Sequence, residues 1–156
     1  MAKTQEKPKA NEPRITNRKA RRDYQLLEKV EAGVVLVGTE VKSIRGGRVS
    51  LDEAFARVVE GEVWLYGTHI SPYEPASRLN HEPRRPRKLL LHRREIRKLD
   101  RALLQKGLTL IPMAVYFRRG RVKIELALAR GKRYVDKRED LKKRDHAREM
   151  ARAARR

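Results

Sequence analysis

The chain has no cysteine. That absence excludes disulfides, thiolate zinc sites, iron–sulfur clusters and cysteine nucleophiles together, and it suits a cytosolic setting better than a disulfide-stapled secreted one. Aromatic residues make up only 5% of the 156 positions, too few for extended base stacking along a naked strand. No run approaches the eighteen apolar residues of a membrane-spanning helix, and Met1 to Arg22 holds no apolar stretch of the kind found in a secretory signal. A catalytic constellation is missing too. His69, His81, His92 and His146 stand in unrelated contexts without ligand spacing, and neither a His-Glu-x-x-His motif nor an Asp-rich calcium loop occurs. Gly33 and Gly38 bracket an apolar stretch but lack the lysine of a phosphate loop, so they read as the ends of a strand. The expectation is therefore a protein without catalytic residues, metal or cofactor, and without a membrane partner.

Acid is the other scarcity. Twenty Asp and Glu face forty Lys and Arg, a net charge of +20. Solubility needs far less, and so much charge strains a compact state by self-repulsion unless a polyanion relieves it. The charge is also segregated. Residues 1–22 hold eight cations against two acids, residues 78–101 ten against three, and residues 132–156 eleven against five, while residues 23–77 are mildly acidic. Basic ends and a basic middle around a nearly neutral first half point to nucleic acid as the partner.

Residues 1–14, with Pro8, Pro13 and much lysine, read as a disordered basic arm. Residues 15–131 read as the folded domain. Gln25 to Val30 and Val34 to Val37 look like two strands broken around Ala32–Gly33, the second a short apolar run buried on both sides. Thr39 to Arg45 reads as a short helix, with Thr39 as N-cap and Gly46–Gly47 as its stop. Ala54 to Val59 and Glu62 to Tyr66 form a hairpin about Glu60–Gly61. Residues 72–87 carry four of the seven prolines and read as a long loop, functional or disordered, followed by a brief strand from Lys88 to Leu91. Arg93 to Lys106 has Ile96, Leu99, Leu103 and Leu104 on one helical face and Gly107 past its end. Leu108 to Phe117 and Val122 to Ala129 form a second hairpin, the latter half-buried, with Pro112 asking for an edge or bulge. With so few helices a parallel sheet is implausible. The fold class is mainly β: a small closed antiparallel barrel of about six strands, of the oligonucleotide-binding type.

Residues 132–156 differ. Glu139–Lys143 and Asp140–Arg144 are favourable i,i+4 pairs and several alanines favour helix, but only Leu141 and Met150 offer sizeable apolar surface. This basic tail is expected to be disordered when free and helical against a partner. Two clusters carry the chemistry of RNA recognition. Asn17-Arg18-Lys19-Ala20-Arg21-Arg22 groups four cations with an amide, and the proline-rich loop mixes Tyr73, Asn80, His81, Arg84, Arg85, Arg87 and Lys88. Guanidinium forks suit phosphates, and planar rings with amides suit unpaired nucleotides. The low aromatic content favours gripping a folded RNA by its shape.

Six ordered blocks then stand out: Asn17-Arg18-Lys19-Ala20-Arg21, Gly38-Thr39-Glu40-Val41-Lys42-Ser43, His69-Ile70-Ser71-Pro72-Tyr73-Glu74, Arg87-Lys88-Leu89-Leu90-Leu91-His92, Lys106-Gly107-Leu108-Thr109 and Asp136-Lys137-Arg138-Glu139. From about Asn17 to Arg144 the chain closely resembles the SsrA-binding, or small protein B, family. The resemblance implies an oligonucleotide-binding-type barrel with flanking helices. It also implies a bacterial rescue factor that binds the tRNA-like end of transfer-messenger RNA and accompanies it, with elongation factor Tu, into stalled ribosomes. Charging by alanyl-tRNA synthetase would be supported through the RNA. One barrel face would meet the RNA elbow through Asn17, Arg18, Lys19, Arg21, Glu40, Lys42, Ser43 and Arg45, extended by Ser71, Tyr73, Asn80, His81, Arg84 and Lys88. The tail would enter the decoding site and the empty message channel, beginning with Asp136, Lys137 and Arg138 and continuing with Lys142, Lys143 and Arg144. The family usually places Tyr or His directly before Asp-Lys-Arg. This chain has Val135 there, with Tyr134 one residue earlier, from which its ring would have to reach back to supply the family's stacking contact on a ribosomal base. Glu40 has three readings: an acceptor for RNA donors, a group that orients neighbouring cations, or an ion-pair partner for Lys42 or Arg45. A ribosomal or ribosome-assembly protein that scaffolds ribosomal RNA is the competing function.

Overall fold

A computed structural model describes residues 12–105, 107–132 and 134–155, without the side chains of residues 134–136. Eleven of the fourteen residues read as a disordered arm, residues 1–11, lie outside that range. The chain runs through β1 (Ile15–Thr16), α1 (Arg18–Asp23), β2 (Tyr24–Val34), α2 (Gly38–Arg45), β3 (Val49–Ser50), β4 (Phe55–Val59), β5 (Glu62–Tyr66), β6 (His69–Ile70), β7 (Arg87–Leu90), α3 (Arg93–Leu103), β8 (Leu108–Arg118), β9 (Arg121–Gly131) and α4 (Tyr134–Ala153). Antiparallel pairing passes from β8 through β4, β5, β7, β2 and β9 and returns to β8. Six strands thus form a ring, with β1 added beside β8 and a small β3–β6 ribbon apart. The mainly β, barrel-like architecture read from the sequence is the one observed.

Local chemistry accounts for the ring's corners. Glu60 and Gly61 both take positive φ (51° and 76°), and so do Arg119 and Gly120 (52° and 74°). Two left-handed residues in a row match the twist of a tight hairpin, and glycine accepts that conformation without strain. At Pro112 the β8–β9 register shifts, giving the expected bulge, and the displaced Met113 carbonyl accepts the Asn17 amide at 2.8 Å. Val63, Leu65, Leu89, Leu110 and Leu126 fill the ring's interior. A second apolar cluster joins Ala20 of α1 to Ile111, Met113, Ala127 and Ala129 on the outside of β8 and β9. The alternation read in β9 is therefore incomplete: Ala127 and Ala129 are buried as well, because α1 covers that face.

Three further expectations are corrected. The first strand does not break at Ala32–Gly33; β2 runs unbroken to Val34, and Val35 and Val37 are exposed rather than buried on both sides. Val37, not Thr39, caps α2, because the Glu40 carboxylate reaches back to the Val37 amide at 3.1 Å. The third helix stops at Leu103, leaving Leu104 exposed and off the apolar face. The proline-rich segment is a loop, as expected, with tight 3-10 turns over Glu74–Leu79 interrupted at Ser77. Among the described residues no helix is long and apolar enough to cross a membrane.

Candidate nucleic-acid interface

The first basic cluster is built on a buried cap. Asn17 is buried; its side-chain oxygen accepts the Ala20 amide at 3.0 Å, and its amide donates to the carbonyls of Leu51 and Pro112, each at 3.0 Å. One amide thus starts α1 and ties it to the β8 bulge. Ala20 is the buried residue of this six-residue helix, so Arg18, Lys19, Arg21 and Arg22 all face solvent. Asn17 itself is buried, and its bonds position the exposed cations of α1.

The second cluster joins α2 to the proline-rich loop around one buried carboxylate. Glu40 is fully buried and ion-pairs with Arg85 and Arg87, with Arg85 Nε at 3.0 Å. Arg87 is equally buried, and its remaining donors meet the carbonyls of Thr68 at 2.9 Å and Pro83 at 3.0 Å. Burial on its own would raise the Glu40 pKa, but hydrogen bonds from Arg85, Arg87 and the Val37 amide overcome it and hold the carboxyl below its ordinary range. The observed partners come from the loop and β7; neither Lys42 nor Arg45 pairs with Glu40, and no exposed oxygen is left for RNA. Ser43 is also buried and donates to the Ser71 carbonyl at 2.7 Å. His81 bridges Thr39 Oγ1 (2.8 Å) and the Ile70 carbonyl (2.9 Å). A carbonyl can only accept, so Nε2 carries a proton, and Nδ1 faces the Thr39 hydroxyl. Asn80 exchanges two 2.8 Å hydrogen bonds with the Tyr73 backbone and closes the loop on itself.

These bonds leave a defined set of groups at the surface. Lys42 and Arg45 are exposed on α2, with Lys42 Nζ 5.2 Å from the centre of the half-buried Tyr73 ring and Arg45 stacked over Phe117 at 5.4 Å. Arg84 is exposed and meets Glu53 at 3.2 Å. Glu53 lines the same recess as Lys19 of α1, so Glu53 stands between the two basic clusters. Lys88 does not join them: it lies in β7 opposite Trp64 and pairs with Glu62 at 2.8 Å.

The tail forms α4. Lys137 reaches Asp23 at 3.4 Å, Lys132 pairs with Asp140, and the Lys132 amide donates to the Asp23 carbonyl at 2.9 Å. Lys142, Lys143 and Arg144 face solvent. The side chains of Tyr134 and Asp136, and of Val135 between them, lie outside the described residues, so the stacking expected near that point has no described geometry. Among the described residues no cluster of three or more His, Asp or Glu side chains is placed to hold a metal ion.

Sequence reasoning treated Arg85 and Arg87 as loop cations and missed that they brace the site. The alternation of β7 carried the signal. Leu89 points inward, so Arg87, two residues before it, must point inward too, and a buried guanidinium requires a buried carboxylate.

A family model described as SmpB protein matches residues 14–156. The chain is 60% identical to the SsrA-binding protein of Carboxydothermus hydrogenoformans over 139 residues, which are 89% of this chain and 93% of that one. It is 57% identical to the SsrA-binding protein of Desulforudis audaxviator over 149 residues, 94% and 97% of the two chains. A solved structure described as "tmRNA-SmpB: a journey to the center of the bacterial ribosome" contains a chain 50% identical to this one. It superposes with a TM-score of 0.68 over 83% of this chain and 94% of that chain.

Proposed function

This chain belongs to the SmpB protein family, and from that premise we propose that it binds the tRNA-like domain of transfer-messenger RNA and delivers it to stalled ribosomes for trans-translation. The observation that carries the reading is that relatives named SsrA-binding protein, the ligand being that RNA, match the chain over nearly its whole length. The exposed cations Arg18, Lys19, Arg21, Lys42, Arg45 and Arg84 contact the RNA backbone, with Tyr73 and His81 beside them. Asn17, Glu40, Ser43, Ser71 and Asn80 act from below by fixing α1, α2 and the loop. The α4 helix is the form the basic tail takes on the ribosome, where Lys137, Arg138, Lys142, Lys143 and Arg144 lie along the decoding site and the empty message channel; in the free protein the tail is disordered. Elongation factor Tu and alanyl-tRNA synthetase meet the protein through the RNA. The protein works in the cytoplasm and performs no bond chemistry of its own.

Pull-down of the tagged full chain from its host, followed by RNA sequencing, tests the reading. Strong enrichment of transfer-messenger RNA over total RNA is expected. Recovery of ribosomal RNA alone would assign the protein to ribosome scaffolding instead.

A further inference from the structure

One strongly charged surface belongs to neither RNA cluster. The helix α3 buries Leu99 and packs Ile96 and Leu103 against the core. At about 100° per residue, Arg93, Arg94, Arg97, Lys98 and Arg101 fall within an arc of roughly 140° on the opposite side. All five are exposed. Lys98 pairs with Glu28, whereas the guanidinium groups of Arg93, Arg94, Arg97 and Arg101 make no ion pair or hydrogen bond among the described residues. Glu95, an acid of this helix, turns back to accept the His92 amide at 3.1 Å and serves as the cap.

Local energetics oppose this arrangement. Arg93–Arg97, Arg97–Arg101 and Arg94–Lys98 are like-charge i,i+4 pairs, which weaken a helix. Arg93 and Arg94 also sit in the first turn, where the positive end of the helix dipole disfavours cations. Stability alone would select neutral or acidic residues at these positions. An external polyanion removes both penalties at once.

We propose that α3 is a second, separate docking surface for the phosphate backbone of a structured RNA, which on the reading above is ribosomal RNA. Arg93, Arg97 and Arg101 rise by ~6 Å per step along the helix, a spacing comparable to that of successive phosphates on one strand. Guanidinium is the cation best matched to phosphate, through paired N–H donors. The segment from Arg93 to Leu104 contains no aromatic ring, so it grips backbone and does not stack on bases. The apolar face of α3 is committed to the core and cannot enter a lipid surface. The cluster at α2 and the loop lies at the Arg87 end of β7, while α3 begins after the other end of that strand. The protein then holds one RNA on α1, α2 and the loop and a second on α3.

The test uses the full chain with Arg93, Arg94, Arg97 and Arg101 all changed to Gln, which keeps helix propensity. A second variant with all four changed to Lys keeps the charge. Affinity is followed against salt for three probes: the tRNA-like transcript of transfer-messenger RNA, small ribosomal subunits, and small-subunit RNA freed of protein. The Gln variant should show a slope of log affinity against log salt shallower by roughly three on subunits and on naked ribosomal RNA, and by less than about one on the tRNA-like transcript. The Lys variant should keep the wild-type slope and the wild-type melting temperature. An unchanged slope on naked ribosomal RNA would overturn the proposal, and so would an equal loss on the tRNA-like transcript, which would place α3 in the first interface. If wild type failed to bind the tRNA-like transcript while the ribosomal slopes still changed, the proposed function would fall and the α3 surface would stand.

Discussion

Glu40 has no exposed surface, yet it pairs with two arginines that stand 45 and 47 residues further along the chain. A reading confined to near neighbours offers Lys42 and Arg45, or an RNA donor; the true partners come from the far end of a loop, and no local pattern points to them. Removing the carboxylate leaves a buried guanidinium, Arg87, without its counter-charge. Glu40→Gln should therefore cost about 3–5 kcal/mol at neutral pH, far more than a surface pair would. The pH dependence has a fixed sign. The folded carboxyl titrates below its ordinary value of 4.5, so its contribution is complete above that value and is lost as pH falls through the folded one. Urea denaturation of wild type and Glu40→Gln should show a gap at pH 7 that narrows as the pH falls below 4.5. A gap that stays constant over that range would remove the ion pair as its cause.

Elements were legible where their signals are local. Both hairpins were read correctly because Glu60–Gly61 and Arg119–Gly120 declare their turns, and the Pro112 bulge because proline lacks a donor. The break assigned at Gly33 was wrong for a tertiary reason. Gly33 lies within β2 opposite Leu90 of β7, and a Cβ there would sit 3.3 Å from Leu90 Cβ. The glycine serves close strand approach, which resembles a turn signal in sequence. Gly67 makes the converse case. It follows β5 with φ +72°, and a Cβ would lie 2.5 Å from the Glu53 carbonyl oxygen. Gly61 has a similar φ of +76° but open space around it. Gly67→Ala should cost more than Gly61→Ala by about 1 kcal/mol or more, read from chemical denaturation midpoints. Equal costs would mean that the β5–β6 turn shifts away from Glu53 freely. For α1 the expectation is the reverse. Changing Arg18, Lys19 and Arg21 together to Ala touches no buried side chain, so the melting temperature should hold. RNA affinity should meanwhile show a salt slope shallower by roughly two to three. An unchanged slope with intact folding would take α1 out of the RNA interface.

At the scale of the whole molecule, the division of labour lies between the strand ring and α4. The ring places α1, α2 and the loop by buried bonds that salt cannot screen, such as those of Asn17 and Glu40. The 20-residue α4 is fastened differently: its side-chain ties include the ion pairs Lys137–Asp23 and Lys132–Asp140, and Leu141 and Met150 are exposed. Helical character was readable from the charge pairs and alanines. Its placement beside α1 was not, because a few ion pairs leave no periodic signature. A rod of ~30 Å with cations around it fits a narrow channel walled by RNA and would collide with any message already there. One segment would then test for missing message without reading sequence. Truncation after Val135 should accordingly leave affinity for transfer-messenger RNA within about tenfold, since ~1.4 kcal/mol corresponds to that factor and the ring keeps its contacts. The same truncation should abolish peptide tagging on stalled ribosomes. Amide exchange should show α4 unprotected in the free protein and protected in the ribosome complex. Full-rate tagging by the truncated chain would rule out this role for α4 and return the whole activity to the ring.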